Sequence, residues 1–278
     1  MQANHDSGSH DHSLIARALE VAVEAARAAA DLIRDAAPGI GALHWEEKAA
    51  ADFVTDVDRN AESRIAETVQ SVFPDAVIIG EELTPDDTVA PDKLAFIADP
   101  LDGTTNFLHG FPHYAVSIGV MHRDALVAGV VINVPRGDVF TASIGNGTRL
   151  NDAIVTVSSI DSTSRALIGT GFPFKNPELL EKYAKQFVEV SRHTAGIRRA
   201  GSAALDFADV ACGRFDGFWE LTLAPWDVAA GIILVREAGG IVTVTSGTQV
   251  LPLQGAYVAG NPSIHPWLLD TVRRAAQS

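Results

Sequence analysis

The sequence predicts a mixed fold of the α+β or α/β class in a chain of 278 residues. Two observations indicate this class. Apolar residues recur at helical spacing in several long segments, and short apolar runs separated by turn residues lie between those segments. Glycine and proline follow the ends of the helical patterns, which supports the same boundaries. We therefore expect one large domain or two subdomains that share a core.

Helices are predicted from the spacing of apolar residues. Residues 14–37 carry apolar side chains at helical spacing and stop at Pro38-Gly39, which predicts one amphipathic helix. A second helix should follow Asp56 and end near Val72, before Phe73-Pro74-Asp75. Further helices are expected at residues 177–191, 202–211 and 225–238.

Strands are predicted from the short apolar runs. Turn residues separate several of these runs, namely His122-Arg123-Asp124 and Pro135-Arg136-Gly137-Asp138. Runs joined by such short turns are typical of an antiparallel meander. The predicted strands span residues 76–79, 94–98, 115–121, 125–133, 139–143 and 165–170.

A seam near residues 158–164 suggests how the chain is divided. We expect residues 13–278 to form a single domain, with an N-terminal part over about 13–158 and a C-terminal part over about 159–278. Residues 1–12 lack the basic start and the apolar segment of a secretory signal, so we expect them to form a disordered tail.

Charge, cysteine content and hydropathy exclude several functional classes. The net charge is −14, so the average surface repels nucleic-acid backbones and no direct nucleic-acid binding is expected. Cys212 is the only cysteine, which excludes a disulfide within the chain and fits a reducing, cytoplasmic location. The richest apolar stretch, residues 125–134, is too short to span a bilayer, so no membrane partner is expected.

Acidic clusters lie where apolar runs end or helices begin. Taken singly, each could be a helix cap, a tight turn or a solvated loop. Strand ends in one sheet are neighbours, however, and two like charges 4 Å apart repel by about 4 kcal/mol at an effective dielectric near 20. If the clusters converge, they need a cation, and oxygen-only ligands favour magnesium or manganese over zinc. The clusters are Glu81 with Glu82, Asp99 with Asp102, Asp52 with Asp56 and Asp58, and Asp227.

The segment after Asp102 adds features of a phosphate site. Gly103 allows the backbone to approach a ligand closely. Thr104-Thr105-Asn106 could begin a short helix whose free N–H groups bind phosphate oxygens, and the hydroxyl of Thr104 could orient a water molecule. Metals beside an anion-binding helix start suggest a two-metal hydrolase.

Two long motifs resemble the signatures of the inositol monophosphatase family. I-A-D-P-L-D-G-T-T-N-F at residues 97–107 is similar to the first, and P-W-D-V-A-A-G-I-I-L-V-R-E-A-G-G at 225–240 is similar to the second. The resemblance covers roughly residues 45–262, and G-T-G-F-P-F and A-G-N-P resemble its bacterial extragenic-suppressor branch. G-E-E at 80–82, D-F-V-T-D-V-D at 52–58 and R-A-G-S-A-A-L-D at 199–206 fit the same family.

The resemblance implies a fold and an activity. The fold would be the layered αβαβα sandwich of the sugar phosphatases, which is usually a homodimer. The activity would be magnesium-dependent hydrolysis of inositol monophosphate to inositol and phosphate, by direct in-line attack of a metal-activated water, with lithium as an inhibitor. Such phosphate monoesters hydrolyse very slowly without catalysis.

The resemblance also implies which residues hold the metals. Glu81, Asp99 and the carbonyl of Leu101 would bind a first magnesium. Asp99, Asp102 and Asp227 would bind a second, and a weaker third ion would lie near Glu81. Manganese could replace magnesium, since both prefer oxygen ligands.

The remaining implied roles concern the water and the substrate. Thr104 and Asp58 would orient and deprotonate the attacking water, so that the catalytic set is Thr104, Asp58, Glu81 and Asp99. The N–H groups of Gly103 and Thr104 would bind the phosphate. The residues facing the inositol ring would be Asp102, Ser202, Ala203, Glu220 and Asp227.

Other functions compete with this one at the level of sequence. A sibling phosphatase would act on fructose bisphosphate, histidinol phosphate or a phosphoadenosine nucleotide. A protein of the extragenic-suppressor type could instead bind a partner in the transcription machinery and retain residual phosphatase activity. A chance likeness is the remaining alternative, and two long motifs in the right order argue against it.

Overall fold

Helices and sheets alternate in layers across the part of the chain that this computed structural model describes. The described residues are 6–42, 45–49, 52–84, 93–248, 252 and 254–276. Short 3-10 helices lie at Ala37–Ala42, Thr163–Arg165 and Pro177–Leu179. The α-helices are α1 (Asp6–Ala36), α2 (Asp56–Val72), α3 (Thr104–Leu108), α4 (Leu180–Ser191), α5 (Ala203–Ala211), α6 (Pro225–Glu237) and α7 (His265–Ala275).

The strands form a hairpin and two larger sheets. In the hairpin, β1 (Trp45–Ala49) pairs with β2 (Asp52–Thr55). The first larger sheet contains, in spatial order, β3 (Val77–Gly80), β4 (Leu94–Asp102), β5 (Ala115–His122), β6 (Ala125–Asn133), β7 (Asp138–Ser143), β8 (Thr148–Leu150) and β9 (Ala153–Val155). The second contains β10 (Leu167–Thr170), β11 (Gly196–Arg198), β12 (Gly217–Leu223), β13 (Ile241–Val244) and β14 (Gly255–Gly260), in the spatial order β11-β10-β12-β14-β13.

Three apolar clusters separate the layers. Helices α1 and α2 pack on one face of the larger sheet, through residues such as Ile33, Ile65 and Phe96. Helices α5 and α6 lie between the two sheets, where Phe207 and Phe218 meet edge to face. Helices α4 and α7 cover the far face of the smaller sheet. The predicted αβαβα sandwich is therefore confirmed.

The larger sheet is antiparallel except at one edge. Strands β4 to β9 follow each other as the predicted meander, and β3 joins β4 in parallel. Arg123 and Asp124 connect β5 to β6 with backbone φ angles of 51° and 60°. Two consecutive residues with positive φ form the turn that matches the twist of paired strands. The parallel edge matters for function, because β3 and β4 end on the same side of the sheet.

The start of the chain differs from the prediction. Helix α1 begins at Asp6, so residues 6–12 are helical where a disordered tail over 1–12 was expected, and residues 1–5 lie outside the described residues. His12 and Ser13 are exposed, so these first turns extend beyond the apolar stripe that led to the predicted start at Leu14. Once a helix is nucleated, each added residue gains a backbone hydrogen bond, and polar turns can continue it.

A smaller difference lies near residue 52. Asp52, expected at a helix start, belongs to strand β2, and α2 begins at Asp56. None of the described helices is long and apolar enough to cross a membrane.

Candidate active site

The predicted metal-binding carboxylates lie around the ends of β3 and β4. Gly80 is the parallel partner of Ala98, so Glu81 leaves the sheet beside Asp99. Between Asp99 and Asp102 the register of β4 against β5 shifts, which marks a β-bulge. A bulge redirects side chains, and such irregularities are common next to active sites.

Hydrogen bonds fix the carboxylates of β4. Asp99 is 2% exposed, and its Oδ1 accepts the Leu101 N–H at 3.0 Å. Oδ2 of Asp102 accepts from the Ser202 hydroxyl at 2.6 Å and from the Ala204 N–H at 2.7 Å. The two hydrogen bonds to Asp102 connect the end of β4 to the N-terminus of α5, across about one hundred residues of sequence.

Asp227 comes to the same place from helix α6. Its Oδ2 accepts the Ala224 N–H at 2.7 Å, and Pro225 occupies the first turn. The carboxylate thus reaches back to the residue before the helix, as in a capping box. The helix-capping role that the sequence allowed for Asp227 and its expected position at the site therefore do not exclude each other.

These carboxylates influence one another's pKa values. Burial, and then the charges of Glu81, Asp102 and Asp227, raise the pKa of Asp99 well above its ordinary value. Burial and the charge of Asp102 raise the pKa of Asp227 to about 7. Within the described residues, no group of three His, Cys, Asp or Glu side chains already closes around one point. The site concentrates negative charge and oxygen donors without forming a closed cage.

Asp58 and Thr104 meet beside this cluster. Thr55 caps α2, and Oδ2 of Asp58 accepts from both its N–H at 2.9 Å and its hydroxyl at 2.6 Å. The Thr104 hydroxyl lies 3.0 Å from Oδ1 of Asp58 and 3.0 Å from the Leu101 carbonyl oxygen. Because one hydroxyl has one hydrogen, it donates to one of these two acceptors at a time. Burial raises the pKa of Asp58, although the bonds from Thr55 and Thr104 oppose that shift.

Gly103 makes the turn between β4 and α3 possible. Its φ is +93°, and a Cβ there would lie 3.1 Å from the Gly201 carbonyl oxygen and 3.2 Å from that of His113. A non-glycine residue would be strained in this conformation. Asn106 secures the same region, because its Nδ2 donates to the His113 carbonyl at 2.7 Å and to that of Ala200 at 2.9 Å.

These groups line one cavity of about 480 Å³. The metal-binding candidates Glu81, Asp99, Leu101, Asp102 and Asp227 lie on its wall. So do Gly103, Thr104, Ser202, Ala203 and Glu220, the residues expected to contact phosphate or substrate. Asp58 reaches the cavity through Thr104.

The cavity wall also contains Glu220 on strand β12. Burial raises the pKa of Glu220 to about 8, while the charge of Arg199 acts in the opposite direction. A Cβ on Gly171 would lie 2.1 Å from the Glu220 carboxyl group, so a larger residue there would displace this carboxyl group from its present position. Arg199 lies over the rings of Phe172 and Phe174, 5.2 and 5.0 Å from their centroids.

Glu62 was not identified from the sequence. It is 1% exposed, and its carboxylate accepts the N–H groups of Glu82 at 2.7 Å and Leu83 at 2.9 Å. A Cβ on Gly80 would lie 2.2 Å from Oε1 of Glu62. The carboxylate therefore holds the turn that presents Glu81. The signal in the sequence was an acid four residues after Asp58, on the stripe that Ile65 continues.

Other cavity residues were also missed as site residues. Arg199, Phe172, Lys175 and Asp206 line the cavity, and Lys175 lies 3.9 Å from Glu81. Arg199, Phe172 and Asp206 lie in motifs that the sequence analysis named, Lys175 lies in none of them, and nothing local distinguishes the four from surface or core residues.

Comparisons with known proteins identify the family. The family model described as "Inositol monophosphatase family" matches residues 15–277 of this chain. The chain belongs to the inositol monophosphatase family. A Pseudomonas aeruginosa relative, "Nus factor SuhB", is 43% identical over 259 residues, covering 92% of this chain and 95% of the relative.

Solved structures of the family agree with the fold. The extragenic suppressor protein suhB from Bartonella henselae has a TM-score of 0.87 and 37% identity, covering 93% of this chain and 99% of its own. The inositol monophosphatase from Anabaena sp. PCC 7120 has a TM-score of 0.82 and 34% identity, covering 93% and 96%. Membership of this family supports a phosphatase.

Proposed function

We propose that this protein is a magnesium-dependent phosphatase that hydrolyses inositol monophosphate to inositol and phosphate. The observation that carries the proposal is the meeting of Asp99, Asp102, Asp227 and the Thr104–Asp58 pair on one cavity. The family match over residues 15–277 supports the reaction class.

The donor set fits a hard divalent cation. Glu81, Asp99 and the Leu101 carbonyl would hold one magnesium, and Asp99, Asp102 and Asp227 a second, with a weaker third ion near Glu81. All these donors are oxygen atoms, which magnesium and manganese prefer. Burial, and then the charges of neighbouring acids, raise the pKa values of Asp99 and Asp227, and a bound cation would offset both effects. When bound, such ions neutralise a phosphate and lower the pKa of water. Lithium is expected to compete for one of these positions.

The chain's own residues would orient the water and the phosphate. The Thr104 hydroxyl can donate to Asp58 Oδ1 and accept from a water molecule, so that Asp58 receives a proton through Thr104. The N–H groups of Gly103 and Thr104 would bind phosphate oxygens. Asp58 is fixed by Thr55 and so keeps its orientation during the reaction.

The part of the cavity wall that contains Glu220, Ser202 and Ala203 would bind the polyol. Glu220 can accept hydrogen bonds from two neighbouring ring hydroxyls. Ser202 and Ala203 are small, so a ring can approach the start of α5. Asp102 and Asp227 would contact the same ring from the metal side. A site that hydrogen-bonds hydroxyls rejects analogues that lack them, because its buried acceptor then stays unpaired.

A substrate panel with magnesium tests the proposal. Inositol 1-phosphate should be hydrolysed with a much higher kcat/KM than fructose 1,6-bisphosphate, histidinol phosphate or a phosphoadenosine nucleotide. A clear preference for one of those three would replace the proposed substrate by a sibling activity. Full activity in excess chelator would refute the metal requirement.

A second role is favoured by one specific observation. The Pseudomonas aeruginosa relative at 43% identity is named a Nus factor. We therefore also propose that this protein binds a partner in the transcription machinery, as a cytoplasmic homodimer. Purified bacterial RNA polymerase and its elongation factors would serve as partners in a binding assay, and sedimentation would give the oligomeric state. The Asp99→Asn variant is the useful control, because binding through an outer surface should survive it.

A further inference from the structure

Asp206 is a buried acid on the cavity wall that the proposed reaction does not use. It lies in the first turn of α5, one helical turn after Ser202, and it is 1% exposed. Asp206 is one of the residues that line the same cavity as Glu220. Among the described residues, Oδ1 of Asp206 has no hydrogen-bond partner.

An unpaired buried oxygen is costly, so its presence calls for an explanation. A buried polar atom loses its bonds to water and gains none in return. Ser202 is not available to Asp206, since its hydroxyl donates to Asp102 at 2.6 Å. The arrangement is explained if the missing partner arrives with the ligand.

The surroundings of Asp206 indicate the chemistry of that partner. Burial, and then the charges of Glu220, Asp209 and Asp102, raise the pKa of Asp206 well above its ordinary value. An anionic group of a ligand would be repelled by these neighbouring acids, and an apolar group would leave Oδ1 unpaired. A hydroxyl both donates and accepts, so it can pair with a carboxyl group in either protonation state.

We propose that Asp206 is a second polyol-binding residue, whose carboxyl group pairs with a hydroxyl of the substrate bound beside Glu220. The inference rests on the proposed phosphatase activity towards a polyol phosphate and extends it to a specificity determinant. Asp206 would act on binding of the polyol part and not on the reacting phosphate.

The Asp206→Leu variant tests this inference. Leucine has the branched shape of aspartate and no acceptor, so KM for inositol 1-phosphate should rise by about 3- to 10-fold, the range expected for one lost hydrogen bond. The kcat/KM for p-nitrophenyl phosphate, which has no ring hydroxyls, should stay unchanged. Asp206→Asn keeps an oxygen at this position and should restore most of the affinity.

Several outcomes would overturn the inference. An unchanged KM for inositol 1-phosphate would mean that Oδ1 binds a trapped water or has no role in recognition. Equal losses on both substrates would mean that Asp206 only supports the fold. If the leucine variant does not fold, Asp206→Ala is measured in the same way and the same KM rise decides. A wild-type protein that hydrolyses only the aryl phosphate would refute the proposed substrate itself. That result differs from a wild type that hydrolyses inositol 1-phosphate and an Asp206→Leu variant with the same KM, which would refute only the role of Asp206.

Discussion

The Thr104 hydroxyl lies 3.0 Å from Oδ1 of Asp58, although the two residues are 46 positions apart in the chain. Thr104 belongs to α3 and Asp58 to α2, and Thr55 fixes the other carboxylate oxygen through two hydrogen bonds. The acid has little freedom to turn away. This arrangement suits a pair that must position a water molecule and accept its proton.

We predict that Thr104 and Asp58 act as one unit. Thr104→Ala, Asp58→Asn and the double variant should lose similar amounts of kcat, because residues in one catalytic unit give non-additive losses. Single-turnover kinetics on inositol 1-phosphate would measure this. Losses that multiply in the double variant would show that the two side chains act separately.

The carboxylate Asp99 should be essential for activity and dispensable for folding. Asp99→Asn should lower kcat by several orders of magnitude, since the residue is shared by both proposed ions. Its metal-free thermal midpoint should not fall, because a buried acid repelled by Glu81, Asp102 and Asp227 is neutralised. A variant that retains activity would contradict the proposed metal site, and lithium inhibition of the wild type offers an independent check.

Metal-free stability should fall as pH rises. The pKa of Asp227 is about 7 in the folded chain and 3.8 for the free group, so the folded form binds more protons between these values. The stabilising contribution is complete below the lower value and is lost as pH rises through the upper one. Thermal midpoints measured in chelator should therefore decrease from about pH 5 to about pH 8. Magnesium should raise the midpoint most at high pH, and a flat profile in chelator would argue against a repulsive cluster.

Glu220 should determine substrate preference in a pH-dependent way. Its pKa of about 8 means that the wild type gains a charged acceptor as pH rises through that value, while Glu220→Gln stays neutral. KM for inositol 1-phosphate should be higher in the variant, with a difference that widens above pH 8. The kinetics of p-nitrophenyl phosphate serve as the control. Equal effects on both substrates would make Glu220 a structural residue.

Gly171 gives a test of how Glu220 is placed. A methyl group there would lie 2.1 Å from the Glu220 carboxyl group, so Gly171→Ala should displace it and raise KM for inositol 1-phosphate. Gly39→Ala is the matched control, because a Cβ at Gly39 meets nothing within 4 Å. Equal kinetics for the two variants would show that Glu220 has room to move without loss.

Features governed by local sequence were predictable. Helix α2 starts at Asp56 and ends at Val72 as the apolar stripe indicated, and α6 starts at Pro225. The position of the acids at strand ends predicted that they would lie near one another, because the parallel strands β3 and β4 end on the same side of the sheet.

Features that depend on distant contacts were not predictable in this way. Arg199 reaches two aromatic rings more than twenty residues away in sequence, and no periodicity marks it as a wall of the cavity. The hairpin of β1 and β2 was also missed, since its charged strands lack the alternation that identifies a half-buried strand. Asp206 had the appearance of an ordinary acid in the first turn of a helix.

The carboxylate of Glu62 accepts two N–H groups of the turn after β3, so helix α2 is connected to the part of the chain that carries Glu81. Asp58 and Glu62 project from the same side of that helix. The helix therefore fixes the orientation of Asp58, the proposed proton acceptor, relative to the turn that carries Glu81. Inserting a single residue between them would rotate one relative to the other by about 100°. The spacing of four residues between these acids is therefore a structural requirement of the proposed active site, as important as the identity of either side chain.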